Sequence, residues 1–226
     1  MEETIAFDFR RPMPIFPLSG CVLLPHTAVP LQVFEPRYKQ MVEDVIDSHG
    51  LIAMGLFSDE VDEDEYLHER PPLRDYACVG YILQYERVED GRYLLLLHGI
   101  CRGRIIEEVE HEPYRTVRLE PIDLLSSTGD DLGPQRGRLD RLLNDPQLHR
   151  LESVQQLHDL VDDSVPTGAV IDVAVMSVCP EVEQRYQILA EPDITVRADW
   201  LIDWLESTRR DLKQADDTGS DDFSWN

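Results

Sequence analysis

Residues 13–45 constrain the fold more than any other part of this sequence. They read MPIFPLSGCVLLPHTAVPLQVFEPRYKQMVEDV and combine short apolar runs with closely spaced prolines. Proline lacks an N–H donor, so within sheets it is confined to edges, strand ends and bulges. The segment therefore predicts short extended elements at residues 15–18, 22–24 and 31–34, which lead directly into a helix.

That helix is predicted to begin at Pro36, because proline is favourable at the first helical position, where an N–H would have no intrahelical partner. Apolar residues then recur at helical spacing and form one stripe to be buried, with Gly50 as the C-terminal stop. The stripe consists of Tyr38, Met41, Val42, Val45 and Ile46.

Downstream, the apolar pattern favours strands up to about residue 125. Residues 51–57, 78–86, 93–97 and 100–109 have strand length, and Asp90-Gly91 has the chemistry of a hairpin turn. Gly99 and Gly103 stand where a small closed barrel needs bends. The apolar phase shifts at Pro121, which indicates a bulge or a strand end.

The period becomes helical after a segment rich in Gly, Ser, Asp and Pro, at residues 126–134. We therefore predict an α+β protein with a β-rich subdomain at residues 1–125, a linker at 126–134, a helical subdomain at 135–213 and an acidic disordered tail at 214–226. The acidic run at residues 59–65 is predicted to be a solvated loop. The predicted helical stripes include Leu139, Leu142, Leu143, Leu151, Val154, Leu157, Leu160, Val161, Ile188, Leu189, Trp200, Leu201, Trp204, Leu205 and Leu212.

Charge and cysteine content exclude several classes of function. The formal charge is −24, with 45 acidic against 21 basic residues, which opposes nucleic-acid binding because phosphate contacts need clustered cations. A local basic face remains an alternative, formed by Arg102, Arg104, Arg115 and Arg118.

No signal-peptide pattern or membrane-spanning apolar run occurs, so we expect a cytoplasmic protein without membrane partners. The four cysteines have neither zinc nor disulfide spacing, and no metal or other cofactor is predicted.

The opening segment resembles the N-terminal substrate-binding domain of Lon proteases. The resemblance rests on Pro14-Ile15-Phe16-Pro17-Leu18, on Leu24-Pro25 and Pro30-Leu31, and above all on Phe34-Glu35-Pro36-Arg37-Tyr38 followed by Met41. It continues through Val79-Gly80, the Gly99-x-x-Arg102 run and Glu112-Pro113-Tyr114, and more loosely through residues 172–205. It implies a PUA-like β pseudo-barrel of about six strands with a packed helix, followed by a helical bundle.

The resemblance also implies a role in binding protein substrates, as in Lon, where this domain helps to select unfolded or tagged proteins. Two motifs of the complete protease do not appear here. There is no GxxxxGK[ST] phosphate-binding loop, and the only lysines, Lys39 and Lys213, do not match a Ser-Lys dyad. We therefore predict no catalytic residues and no enzymatic activity.

Six residues are candidates for a binding site. Glu35 and Arg37 flank the helix start and can line a peptide groove, although a purely structural role, with Glu35 on backbone amides and Arg37 on a carboxylate, is the stronger alternative. His26 and His98 lie beside predicted strand ends, where a cleft can open. Tyr38, for which a place in the core is the stronger alternative, and Arg102 complete the set.

Two hypotheses for function follow. The first is a non-catalytic module that binds exposed polypeptide segments, or a protein partner, in protein quality control. The second is a PUA-like domain that binds a small molecule or nucleotide. Two aromatic pairs are further candidate partner contacts. The alternative for Trp200 and Trp204 is packing in the core, and the alternative for Phe223 and Trp225 is a C-terminal tail without a binding role. The client, the oligomeric state and any link to a Lon protease are left open.

Overall fold

A computed structural model describes residues 8–58, 66, 70–122, 132–161 and 164–218 of the chain. It divides into two compact units. The first comprises Met1–Leu125 together with Glu181–Pro192, and the second comprises Ser126–Pro180 and Asp193–Asn226. Residues 181–192, which the sequence pattern assigned to the helical subdomain, therefore pack with the strands. The predicted acidic loop, most of the predicted linker and residues 219–226 lie outside the described residues.

The first unit contains a six-stranded sheet in the order β2-β5-β4-β3-β1-β6, in which β5 also pairs with β6. This extra pairing closes β1, β3, β4, β5 and β6 into a ring and leaves β2 attached to β5 alone among the described strands. The β1–β3 pair is parallel and the other pairs are antiparallel. The strands are β1 Met13–Leu18, β2 Ala28–Val33, β3 Leu51–Leu56, β4 Tyr76–Arg87, β5 Tyr93–Val109 and β6 Thr116–Pro121.

Side chains from all five strands of the ring fill its interior. Because successive side chains in a strand point to opposite faces, each strand contributes every second residue. The cluster consists of Met13, Ile15, Leu51, Ala53, Ala77, Val79, Cys101, Val117 and Leu119. The PUA-like β pseudo-barrel expected from the sequence is thus present.

Strand β5 is 17 residues long and pairs with three other strands. Its first half pairs with β2 and β4, and its second half with β4 and β6. Gly99 lies in the middle, where a Cβ atom would be 2.1 Å from the carbonyl oxygen of Leu24, so only glycine fits there without a shift of backbone. Bulges interrupt the β4–β5 ladder beside Gly80 and between Ile82 and Gln84. The strand can therefore leave the ring and continue into the sheet that carries β2.

The predicted first helix is confirmed as α1, Pro36–Ile46, with proline in its first turn. Tyr38, Met41, Val42 and Val45 are buried, as the stripe predicts. The N–H of Gly50 donates to the carbonyl oxygen of Val45, and a φ of 69° at Gly50 turns the chain from the helix into β3.

The second unit consists of helices around an apolar core. They are α2 Gly133–Leu143, α3 Glu152–Leu160 and α4 Thr167–Val178, with a 3₁₀ turn at Leu148–Arg150 before α3. Helix α5, Val182–Ala190, belongs to the first unit, and α6, Ile194–Thr218, returns to the second. None of the helices in the described ranges is both long and apolar enough to span a bilayer.

Most predicted helical stripes are buried, with two differences. Leu160, at the end of α3, is 70% exposed. Four other stripe residues are only half-buried, namely Leu151, Val161, Trp200 and Trp204, whereas Leu201, Ile202 and Leu205 form the inward face of α6. Helix α6 continues to Thr218 and so includes residues 214–218, which the sequence pattern assigned to a disordered tail. The ion pair between Arg150 and Asp216, with atoms 2.6 Å apart, ties this last part of the helix to the 3₁₀ turn.

Candidate functional site

An open groove of about 710 Å³ lies on the part of the sheet formed by β2, β5 and β4. Its lining is mostly apolar and comes from three short stretches of strand. The residues are Pro30, Leu31, Gln32, Leu83, Gln84, Tyr85, Glu86, Leu94, Leu95 and Leu96. The groove lies entirely within the first unit.

The strand register shows how the groove floor is built. Leu96 is paired with Pro30 of β2 and with Gln84 of β4, and it forms the centre of one cross-strand row. Leu94 is the centre of the next row, between Gln32 and Glu86. Paired residues share a face of the sheet, so two leucines form the centre of the floor, with proline and polar side chains on either side.

On the opposite face of the sheet, the side chains of β5 are buried. Tyr93, Leu95 and Leu97 alternate with the groove leucines and are at most 5% exposed. The hydroxyl group of Tyr93 donates to a carboxylate oxygen of Glu43 in α1, at 3.0 Å, which identifies this as the face toward α1. Helix α1 therefore lies on the side of the sheet opposite to the groove.

Large apolar side chains are exposed along the groove and beside it. Leu94 is 41% exposed and Leu83 is 49% exposed, and Phe34, directly after β2, is 63% exposed. Contiguous exposed apolar groups of this kind are uncommon on monomeric surfaces and mark binding sites.

The structure brings two of the predicted site residues to one end of the groove. His98 is paired with Ala28, one row beyond Leu96 on the same face. His26, which is exposed with a φ of 63°, donates its backbone N–H to the carbonyl oxygen of Gly99. Both histidines therefore lie where β5 passes from the groove into the ring.

Glu35, Arg37 and Tyr38 form a separate cluster around Tyr66. The guanidinium of Arg37 donates to Glu35 at 3.0 Å and to the backbone carbonyl of Tyr66 at 3.1 Å, and it lies over the rings of Tyr38 and Tyr66. The hydroxyl of Tyr66 donates to the other oxygen of Glu35. Burial, followed by this hydrogen bond, raises the pKa of Tyr66.

This geometry contradicts the expectation that Glu35 binds backbone amides and agrees with the expectation that Arg37 binds a carboxylate. Glu35 occupies the N-cap position, but its side chain makes no capping bond to a backbone N–H. Arg37 does pair with a carboxylate and a carbonyl, as expected. Tyr38 is 2% exposed, and its ring packs 4.5 Å from that of Phe16, centroid to centroid, so it is a core residue.

Arg102 is placed away from solvent. It is 1% exposed, and its Nε donates to the backbone carbonyl of Ile188 in α5 at 3.3 Å. Other bonds fix the same helix: Arg74 pairs with Glu183 at 2.6 Å, and the hydroxyl of Tyr186 accepts the N–H of Tyr76. Arg102 therefore holds α5 against the barrel and does not line the groove.

A second, smaller cleft of about 260 Å³ lies beside the end of α1, also within the first unit. Its lining combines polar and apolar residues, and the hydroxyl of Tyr114 donates to Asp44 at 2.8 Å. Burial raises the pKa of Tyr114 to about 12, with a further contribution from this hydrogen bond. Burial lowers the pKa of His49, with nearby Arg11 adding to the effect. The cleft is lined by Pro12, Pro14, Asp44, Val45, Ser48, His49, Val109, Glu110, His111, Tyr114 and Thr116.

Sequence reasoning missed the groove leucines, although a signal was present. Residues 93–97 read YLLLL, so apolar side chains occupy both faces of this strand. Strict alternation then requires one set of leucines to face away from the core. Within the described residues, no group of three His, Cys, Asp or Glu side chains is placed to bind a metal ion.

Comparison with known protein families identifies the chain. The model of the ATP-dependent protease La (LON) substrate-binding domain matches residues 12–207. The chain belongs to this Lon substrate-binding domain family. The matched region is the substrate-binding domain of these proteases, and the resemblance inferred from the FEPRY segment is confirmed.

Curated relatives are complete Lon proteases. Lon protease 2 of Myxococcus xanthus is 22% identical over 207 residues, covering 91% of this chain and 25% of that protein. Lon protease 1 of Bacillus subtilis is 22% identical over 214 residues, covering 92% of this chain and 27% of that protein. The chain thus spans about a quarter of the length of these relatives.

Solved structures show the same fold. A Lon N-terminal domain protein from Xanthomonas campestris matches with a TM-score of 0.62 and 23% identity, covering 86% of this chain and 98% of that one. The N-terminal domain of Lon protease from the Mycobacterium avium complex matches with a TM-score of 0.66 and 18% identity, covering 87% and 98%. Both support a PUA-like β fold followed by a helical part.

Proposed function

We propose that this protein binds extended, apolar polypeptide segments in the groove formed by β2, β4 and β5. The observation that carries the proposal is the exposure of Leu83 and Leu94, two large apolar side chains in the groove lining. Membership of a substrate-binding family supports a polypeptide as the occupant. Exposed segments of unfolded proteins are the client class with the matching chemistry, and a role in protein quality control follows from that class.

The dimensions of the groove suit a short extended segment. From Leu94 to His98 the strand rises about 14 Å, at roughly 3.4 Å per residue, which accommodates about four residues of an extended client. Leu83 and Leu94 still have 49% and 41% of their surface to bury. Covering that surface contributes on the order of 1 kcal/mol for each side chain, so we expect weak, reversible binding that tolerates many apolar sequences.

The proposal is tested with a permanently unfolded client, such as a reduced and carboxymethylated protein. Hydrogen exchange is expected to show protection at residues 83–86 and 94–96 when the client is present. Leu94→Ser is expected to weaken binding about fivefold in fluorescence anisotropy, because about 1 kcal/mol of apolar contact is lost.

Ile106→Ser provides the matched control. Ile106 lies on the same strand, is 53% exposed and does not line the groove, so this variant should bind the client like the unmodified protein. Equal losses in the two variants, or exchange protection confined to other strands, would rule against the groove.

The second cleft supports a second candidate, binding of a small ligand. Its carboxylates, Asp44 and Glu110, oppose a phosphate group and favour a compact cation that carries N–H donors. A thermal-shift screen of small amines and guanidines tests this, because a ligand specific for the native state raises Tm. Glu110→Gln should abolish any such rise, and an unchanged Tm across the screen would eliminate the candidate.

A further inference from the structure

Glu86 is the one carboxylate in the lining of the apolar groove. It is exposed and is paired across the strands with Leu94, so the two side chains are neighbours on one face. Cβ atoms of directly paired residues lie about 5 Å apart. Within the part of the chain that the structure describes, the Glu86 carboxylate makes no hydrogen bond or ion pair.

The basic residues nearest in sequence are engaged with other carboxylates. Arg87 is paired across the strands with Tyr93, on the face toward α1, where it lies 3.7 Å from Glu43 and stacks over the Tyr93 ring. Arg92 donates to Asp90 at 2.6 Å in the hairpin turn. Neither interaction compensates the charge of Glu86, which therefore remains available to a ligand in the groove.

We infer that the groove discriminates between apolar segments by charge, and that Glu86 is the specificity-determining residue. A client with Lys or Arg next to the apolar side chain that contacts Leu94 places a cation beside Glu86, whereas an acidic residue in that position is repelled. This inference rests on the proposed function and adds the class of segment that the groove selects.

The charge of the whole protein acts in the same direction. A formal charge of −24 attracts cationic segments at long range and raises their association rate. That contribution does not depend on any single residue and is screened by salt, whereas the contact with Glu86 is local. A test must therefore separate the contribution of Glu86 from that of net charge.

The experiment uses three fluorescent peptides with one apolar core, flanked by Lys, Ser or Glu. Binding to the full chain is measured by anisotropy at low and at physiological ionic strength. We expect the Lys peptide to bind about two- to fivefold more tightly than the Ser peptide, the range typical of one exposed ion pair, and the Glu peptide to bind more weakly.

Glu86→Gln should abolish the local part of the preference for Lys, and E86K should reverse the order of the Lys and Glu peptides. The matched control is Glu89→Gln, which removes the same charge from an exposed residue of the hairpin turn, outside the groove lining. This control should retain the preference, because it changes net charge equally but leaves the groove intact.

The outcomes separate the two proposals. If all three peptides bind equally well, charge selection is wrong and the groove proposal stands. If Glu86→Gln and Glu89→Gln reduce the preference to the same extent, net charge is responsible and the role of Glu86 is refuted. If no peptide binds, the proposed function fails and the inference fails with it.

Discussion

The two faces of the first half of β5 carry similar side chains and have opposite environments. Leu95 and Leu97 are 4% and 0% exposed on the face toward α1, whereas Leu94, between Tyr93 and Leu95 in the sequence, is 41% exposed on the groove face. The residue type does not decide which leucine is buried. The position in the strand alternation decides it, because the side chains at 95 and 97 point into the core whereas the side chain at 94 points to the groove.

The largest effect that distinguishes the two faces should come from truncating a leucine on each. Leu97→Ala leaves a cavity in the core and should reduce the free energy of unfolding by about 2–5 kcal/mol, whereas Leu94→Ala should change it by less than about 0.5 kcal/mol. Urea denaturation measures both. Similar losses in the two variants would show that the groove face is also part of the core.

A smaller effect is expected from the glycines that let the covered face pack closely. Gly99→Ala places a Cβ atom 2.1 Å from the backbone oxygen of Leu24, so the backbone must shift, at a typical cost of about 1–3 kcal/mol. Gly20→Ala is the control, because no atom lies within 4 Å of the new Cβ. Thermal denaturation of both variants checks this, and an unchanged Tm for Gly99→Ala would contradict the close approach.

The smallest effect concerns the hydroxyl of Tyr93. Removing its bond to Glu43 by Tyr93→Phe should cost about 0.5–1.5 kcal/mol at neutral pH. Burial, followed by this hydrogen bond, raises the pKa of Tyr93 above that of the unfolded chain. The stabilisation is therefore complete below about pH 10, the ordinary tyrosine value, and is lost as the pH rises through the folded-state pKa.

Urea denaturation at neutral and alkaline pH tests this sign. The stability difference between the unmodified protein and Tyr93→Phe should shrink as the pH rises above 10. Tyr85→Phe, which removes a hydroxyl from a residue that is 54% exposed, should leave stability nearly unchanged at every pH. A stability difference that grows with pH would contradict a raised pKa of Tyr93 in the folded protein.

Local patterns predicted much of the fold. Pro36 at the start of α1 and the buried stripe from Tyr38 to Val45 follow from helix chemistry and periodicity, which depend only on near neighbours in the sequence. The FEPRY segment identified the family. The strand segments and the change to helices near residue 130 were also readable, because turn residues and the apolar period mark them.

The parts that sequence reasoning could not provide depend on contacts between distant residues. Arg102 was a candidate ligand contact, but its partner is a carbonyl in α5, 86 residues further along the chain. The same contacts assign α5 to the barrel unit. The bulge at Leu83 exposes an apolar side chain, and no local pattern in residues 78–86 indicates where the ladder with β5 shifts.

Strand β5 has a further consequence for how this family can diversify. Residues 103–109 complete the ring through their pairs with β6, whereas residues 94 and 96 present side chains to the groove. Ring closure depends on backbone pairs and on side chains of the other half of the strand. Substitutions at 94 and 96 can therefore change the surface of the groove without altering the backbone pairs that close the ring.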